Sequence, residues 1–398
     1  MQGSQDAHPT ALITGLGFIA PGGLEAAFRG QACRAPEAAP EITGFETPDG
    51  APAFGFELAE FKLEDHLPHI KTYLDRTSAL ALAAARLALA DAGLLDGAAR
   101  PAGLEIGCAY GATLGCLEAM GIFWKKVKSS NPKFAPPLPF THGYANSPSS
   151  LLCIEYGLRG SAATFSGDWL SGIQALHFAL TQVFLGSAQA VLVGASDSLT
   201  SAAHAHLLAC GCLSRSGRLR PWSAENDGVV PGEGAAFAVI ESTAGAAARG
   251  RRPYAELAAV GLGAGESSAA LLDAWRRARA GVQPGTRESP DPTILVAATP
   301  LPPALDRAEL GGWAQCLKGR TDVSAIAPKL LTGELLSVSP VLGTLLGAAV
   351  LSGKLDAALL PAPSCPMLRS ARGGAFSSAI VGALDPGGTA GVVALRKT

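Results

Sequence analysis

The sequence has 398 residues, 48% of them hydrophobic and 16% charged, with 48 glycines and a formal net charge of −2; this is the profile of a large, well-packed α/β protein and excludes a disordered chain. Lysines and arginines are scattered along it, so the electrostatic footprint of a nucleic-acid-binding protein is missing. The longest apolar run, near Val338 to Leu351, is interrupted by Gly and Ser and too short to span a bilayer, which takes about 20 residues.

The first residues, MQGSQDAHPT, have neither the basic n-region nor the apolar h-region of a secretory signal. A cytoplasmic protein with no membrane partner is expected. Ala11 to Ala20 is a short apolar run bounded by glycines and reads as a buried strand entering a turn. Asp75 to Gly93 repeats apolar residues at helical spacing, with Asp75 as N-cap and Gly93 closing the helix. Ala188 to Ala195 and Ala235 to Glu241 read as further buried strands. The polar, basic stretch from Ser242 to Pro253 breaks the pattern. From Tyr254 it begins again, because Ala255 to Gly265 echoes the glycine-punctuated strand at Ala11. A duplicated α/β chain is the simplest account, with halves at residues 1–250 and 251–398. Gln283 to Pro292 is a surface loop by its Pro, Gly and Asp content.

The eight cysteines lie mostly in apolar stretches, and only Cys210 and Cys212 come close together. No CxxC pair and no neighbouring His/Cys pair completes a tetrahedral set, so no metal is expected and the thiols read as buried and reduced.

Three stretches, in order, resemble the condensing enzymes, the β-ketoacyl synthase family, and within it the ketosynthase pair of type II polyketide synthases. ITGLGFIAPGG resembles the opening strand. YGLRGSAATFSGDWLSGIQAL resembles the nucleophile segment, Y-G-x-x-G-P-x-x-x-x-x-T-A-C-x-x-x-x-x-A-L. LSRSGRLRPWSAENDGVVPGEGAAFAVIE resembles L-S…R-P-F-D-x-x-x-D-G-x-x-x-G-E-G-A, and is long enough to be highly specific. The resemblance covers nearly the whole chain. It implies a thiolase fold, a duplicated five-layered αβαβα α/β architecture, and no cofactor.

The family's Claisen condensation needs a cysteine thiolate to carry the acyl chain, activated at a helix N-terminus, and two histidines to polarise the malonyl thioester. Aligning Gly160 with the family glycine and Ala175-Leu176 with its A-L puts Trp169 at the cysteine position, with Gly167 and Asp168 in place of T-A. Ala298-Thr-Pro-Leu-Pro-Pro-Ala-Leu-Asp306 resembles H-G-T-x-T-P-x-x-D, with Ala298 at the first histidine. Lys329-Leu-Leu-Thr-Gly-Glu334 resembles K-x-x-x-G-H, with the lysine kept and Glu334 at the second histidine. Catalytic residues are therefore absent from these positions. The Trp169 indole has no nucleophilic character, and its bulk is expected to fill the acyl pocket. Ser166, Asp168 and Ser171 surround Trp169, but a hydroxyl there lacks the adjacent base it would need. Lys329 and Glu334 read as a structural salt bridge before an acid/base pair. The seven histidines all fall outside these motifs, His177 on the helix after Trp169 included. Gly373 to Ser378 resembles the family's gate loop, G-F-G-G-x-N, only weakly.

Thr332 to Val341, TGELLSVSPV, resembles T-G-R-L-x-S-x-x-x-P-L of the chain length factor, or KSβ, the cysteine-less partner of the catalytic ketosynthase. That subunit usually has glutamine where this chain has Trp169. The resemblance implies a subunit without activity of its own that heterodimerises with a catalytic ketosynthase, meets acyl carrier protein, and shapes the tunnel that sets polyketide or polyene chain length. Gly111 to Trp124 matches the helix that closes that tunnel, which puts the chain-length gate at Thr113, Cys116 and Met120; ordinary core packing is the alternative for the last two. Lys125, Lys126 and Lys128 near this helix are candidates to meet the carrier protein. Two rival readings stay open: an acyltransferase or cyclase using Ser166, Asp168 or Glu334 in a remodelled pocket, and a structural homodimer.

Overall fold

The computed structural model describes residues 10–47, 50–69, 73–95, 104–266, 268–281, 292–365, 368–370 and 375–398. The chain opens with strand β1 (Ala11–Ile19), helices α1 (Leu24–Phe28) and α2 (Arg76–Asp91), strand β2 (Ile106–Ala112), then α3 (Leu117–Ser129), α4 (Pro137–His142) and α5 (Ser147–Tyr156). Strand β3 (Ala162–Ser166), α6 (Ser171–Phe184), β4 (Ala190–Asp197), α7 (Ser201–Ala209) and β5 (Gly234–Ser242) complete the first repeat. After α8 (Thr243–Ala248) come β6 (Ala255–Ala264), α9 (Ser268–Gly281), β7 (Thr293–Val296), α10 (Pro303–Cys316), β8 (Val323–Ile326), α11 (Lys329–Thr332) and α12 (Val338–Leu351). Strands β9 (Arg369–Ser370), β10 (Ser378–Asp385) and β11 (Thr389–Arg396) follow.

The strands form one sheet in the order β3-β2-β4-β5-β1-β6-β11-β10-β7-β8-β9. Its two leaves meet where β1 pairs with β6 at Leu12 and Ile13. Both leaves have the same topology. In the first, β2 runs parallel to β3 and β4, and β5 lies antiparallel between β4 and β1. In the second, β7 runs parallel to β8 and β10, and β11 lies antiparallel between β10 and β6. Helices α6 and α12 contact strands of both leaves, whereas α2 and α5 pack outside the first leaf and α9 and α10 outside the second. Helix, sheet, helix, sheet, helix is the five-layered thiolase fold.

The middle layer explains the sequence around it. Every residue of α12 but Ser339 is buried, as expected of a helix that is apolar all round and has sheet on both sides. Helix α6 crosses it at Gly172, where a Cβ would strike the Ser337 carbonyl and the Val341 side chain. A single carboxylate holds two helix starts on the outer face: Asp75 Oδ1 accepts the Thr77 N–H at 2.9 Å and Oδ2 accepts the Ala119 N–H at 3.0 Å.

Two sequence expectations change, and a third goes untested. Gly111 to Trp124 is not one helix: β2 runs through Ala112, a turn with Gly115 at φ 61 follows, and α3 starts at Leu117 and continues past Trp124 to Ser129. The basic stretch after Ser242 contains the short helix α8, capped by the Ser242 hydroxyl on the Gly245 N–H at 3.1 Å. Of the loop expected at Gln283 to Pro292, residues 283–291 lie outside the described residues.

Candidate functional site

The parallel strand β3 delivers the chain to the head of α6 through Gly167, whose φ of 136 suits only glycine. Asp168 then braces the turn that leads into the helix. Its Oδ1 accepts the Leu170 N–H at 3.0 Å and the Ser171 hydroxyl at 3.1 Å, and its Oδ2 accepts the Gln174 amide at 3.1 Å. Its carbonyl takes the hydroxyls of Thr113 at 3.1 Å and Ser171 at 2.9 Å. Both groups with acid/base or nucleophilic character beside Trp169, Asp168 and Ser171, are thus committed to shaping the elbow. Ser166 is exposed at the end of β3 and does not line the cavity described next.

Trp169 is only 7% exposed and packs with Leu207, Cys212, Val229, Ala298 and Leu336. Its indole, Ala298, Lys329 and Glu334 surround one cavity of about 20 Å³, room for about a single water molecule. An acyl group has no space there. Lys329 and Glu334 form an ion pair, and the other Glu334 oxygen accepts the Leu336 N–H at 2.9 Å and the Ser339 hydroxyl at 2.8 Å. Leu336 itself takes a left-handed backbone, φ 56, uncommon for a bulky side chain; the Glu334 bond to its N–H helps hold that conformation.

Ala298 sits just past β7, and its N–H donates to Glu309 Oε1 at 2.7 Å. Glu309 also accepts the indole N–H groups of Trp222 at 2.9 Å and Trp313 at 3.1 Å. Burial pushes its carboxyl up to about 7, against the pull of those donors. Asp306, one turn earlier, accepts from the Thr299 hydroxyl at 2.5 Å and the Trp222 N–H at 2.7 Å. Neither Asp306 nor Glu309 has an ion-pair partner among the described residues.

The three residues assigned to the gate are not arranged on one helix face. Thr113 lies in the turn after β2, where its hydroxyl donates to Asp168 and accepts the Ser337 N–H at 3.0 Å, which ties the elbow to the start of α12. Beneath it, Asp197 accepts the N–H groups of Thr113 at 3.0 Å and Leu114 at 3.2 Å and the Ser337 hydroxyl at 2.5 Å; burial pushes this carboxyl up to about 6. Cys116 is buried at the head of α3, 3.7 Å from the Ser78 hydroxyl, and burial holds its thiol well above the ordinary range. Met120 is partly buried on α3, its methyl lying against Gly143 after α4.

The sequence reading missed Asp385. The backbone N–H of Trp169 donates to its Oδ2 at 3.1 Å, while Oδ1 accepts the Gly387 N–H at 2.6 Å. This places the turn between β10 and β11, Asp385-Pro-Gly-Gly-Thr-Ala390, against the elbow. With its two adjacent glycines it fits G-F-G-G-x-N better than Gly373 to Ser378 does. Of that earlier assignment, 373 and 374 lie outside the described residues, Phe376 packs into the core, and Ser378 opens β10 at its far end from Asp385.

All eight cysteines are free thiols. No group of three or more His, Cys, Asp or Glu is arranged to hold a metal among the described residues, and no helix among them is long and apolar enough to cross a membrane.

The model of the β-ketoacyl synthase N-terminal domain matches residues 47–246. The chain is 29% identical to 3-oxoacyl-[acyl-carrier-protein] synthase 2 of Staphylococcus aureus over 63% of its own length and 62% of that protein's, so it spans about three fifths of this relative. It is 28% identical to the actinorhodin polyketide putative beta-ketoacyl synthase 2 of Streptomyces coelicolor, over 82% of each chain. Among solved structures, the ishigamide ketosynthase/chain length factor superposes with a TM-score of 0.84 at 21% identity, over 98% of this chain and 100% of that one. A ketosynthase in complex with its chain length factor from Xenorhabdus doucetiae gives 0.76 at 18% identity, over the full length of both.

Proposed function

The chain belongs to the β-ketoacyl synthase family, and from that premise we propose that it is a non-catalytic, chain-length-factor-like subunit of a type II polyketide synthase. It would heterodimerise with a catalytic ketosynthase, meet acyl carrier protein, and help shape the tunnel for the growing chain. The observation that carries this reading is the filled site. Trp169, Ala298 and Glu334 stand where the family pattern has cysteine and two histidines, and they leave about 20 Å³ between them. Residues 1–250 and 251–398 are taken as its two thiolase-like halves, a division supported by the repeated strand order.

A partner is favoured by the surface as well. Strand β3 ends the sheet, its hydrogen-bonding edge unpaired among the described residues. In the same half of the chain, Ile122, Trp124, Phe134, Leu138, Phe140 and Tyr144 of the α3–α4 region are all at least 40% exposed. Proteins seldom leave a strand edge and clustered large apolar side chains uncovered. Lys125, Lys126 and Lys128 on α3 would then lie beside the interface, available to an acidic carrier protein.

The rival reading, an acyltransferase or cyclase, has less to draw on, because Asp168 and Glu334 are each fully engaged in holding backbone and side chains. Co-expression separates the readings. The chain is purified alone and with candidate ketosynthases, then supplied with malonyl groups on acyl carrier protein. Product from the pair only is expected. Turnover by the chain alone would overturn the proposal, and a stable homodimer that ignores every ketosynthase would favour a structural role.

A further inference from the structure

We infer that Asp385 is a second closure of this site, separate from the Trp169 indole: its carboxylate occupies the backbone N–H at the head of α6 where the carbonyl oxygen of an acyl group on residue 169 would otherwise be received. The inference rests on reading position 169 as the vacated nucleophile position. It adds that the surrounding backbone has also been withdrawn from acyl chemistry.

The first N–H groups of a 14-residue helix are unsatisfied by the helix itself and favour negative charge. Acyl-transfer sites use such donors to stabilise the oxygen that becomes negative in the transition state. Here the donors nearest position 169, on the approach to the helix, are already taken. The Trp169 N–H goes to Asp385 at 3.1 Å, the Leu170 N–H to Asp168 at 3.0 Å, and the Ser171 N–H to the Asp168 carbonyl at 3.3 Å. The facing turn offers no replacement. Pro386 has no N–H, Gly387 donates back to Asp385 at 2.6 Å, and Gly388 donates to the Asp385 carbonyl at 3.1 Å. Asp385 is 8% exposed, so its charge acts on position 169 with little screening by water.

The consequence is electrostatic and can be read without any ketosynthase. A thiol at a helix N-terminus is ordinarily made more acidic, whereas a carboxylate beside it disfavours the thiolate. The full-length W169C and W169C/D385N variants are alkylated with iodoacetamide across pH, and the introduced thiol is followed by peptide mass spectrometry with the native cysteines as internal controls. In W169C it should titrate above an ordinary thiol. Adding D385N should lower that midpoint by about one unit and speed alkylation at neutral pH about tenfold, with the same limiting rate at high pH. Identical pH profiles in the two variants would overturn the inference. Should W169C not fold, the single D385A variant serves: amide exchange at Trp169 should rise at least about tenfold, and unchanged exchange would overturn it. Because both measurements use the isolated chain, absence of a ketosynthase partner would leave their outcome intact.

Discussion

Lys329 and Glu334 form an ion pair whose side chains are 8% and 1% exposed, in the stretch that resembles the K-x-x-x-G-H pattern with glutamate at its last place. A buried pair is a poor source of net stability, yet losing one member strands the other without solvent. Glu334 also holds the strained Leu336 turn through its second oxygen. Glu334→Ala should therefore destabilise the fold by about 3–5 kcal/mol, read from urea unfolding. The double variant Lys329→Met/Glu334→Leu should recover part of that loss. A single-variant effect below about 1 kcal/mol would show that water reaches the site.

Glu309 gives the chain a pH dependence with a definite sign. Burial raises its carboxyl from 4.5 to about 7, so the folded state keeps this proton at pH values where the unfolded chain has released it. The stability it contributes is complete below about pH 4.5 and is lost as pH rises through about 7. The span corresponds to at most about 3 kcal/mol. Unfolding free energy should fall over this window, and Glu309→Gln should flatten that part of the slope. A Gln variant with an unchanged slope would assign the dependence to another group, Asp197 near Thr113 and Ser337 being a second carboxyl that burial pushes up, to about 6.

Trp169, Ala298, Lys329 and Glu334 line one cavity, and each could be singled out in the sequence because it lies inside a contiguous motif whose neighbours fix the register. Asp385 is not, since only the pairing of β10 with β7 and β11 carries it to Trp169, and its Gly-Gly signal is short. The helix read over Gly111 to Trp124 fails for another reason. Strand β2 is buried on both faces, and a short apolar run of that kind cannot be told from a helix by periodicity. The duplication is legible because the strand pattern restarts at Ala255. The joining of the two leaves through Leu12 and Ile13 is not, because sequence periodicity carries no information on which strands become neighbours.

Met120 tests the chain-length role. Its methyl lies against Gly143 on the α4 side of α3, a helix in which only Ala119 is buried, so the side chain can be enlarged without overpacking a core. Met120→Trp in a reconstituted pair with a ketosynthase should shorten the product, measured by mass spectrometry of released chains. Unchanged length with intact pairing would remove Met120 from the gate.

The partner surface makes the last prediction. Phe140 is 40% exposed and packs between Phe123, tilted to it, and Tyr144, edge-on to it, at centroid distances of 5.0 and 5.3 Å, while Ile154 on the neighbouring α5 is 79% exposed. A side chain as accessible as Ile154 contributes little to the stability of the isolated chain, so a charge placed there should leave its unfolding free energy within about 0.5 kcal/mol of the parent; Phe140 and Ile154 are both open to a partner. In a heterodimer they would be desolvated, and an unpaired carboxylate at a buried interface position commonly weakens binding by about 2 kcal/mol or more. Phe140→Glu and Ile154→Glu should therefore reduce co-purification of a ketosynthase at least about tenfold. Ile154→Val should leave it unchanged. If both Glu variants retain the partner at parental affinity, the mate binds elsewhere and the exposed apolar residues need another explanation.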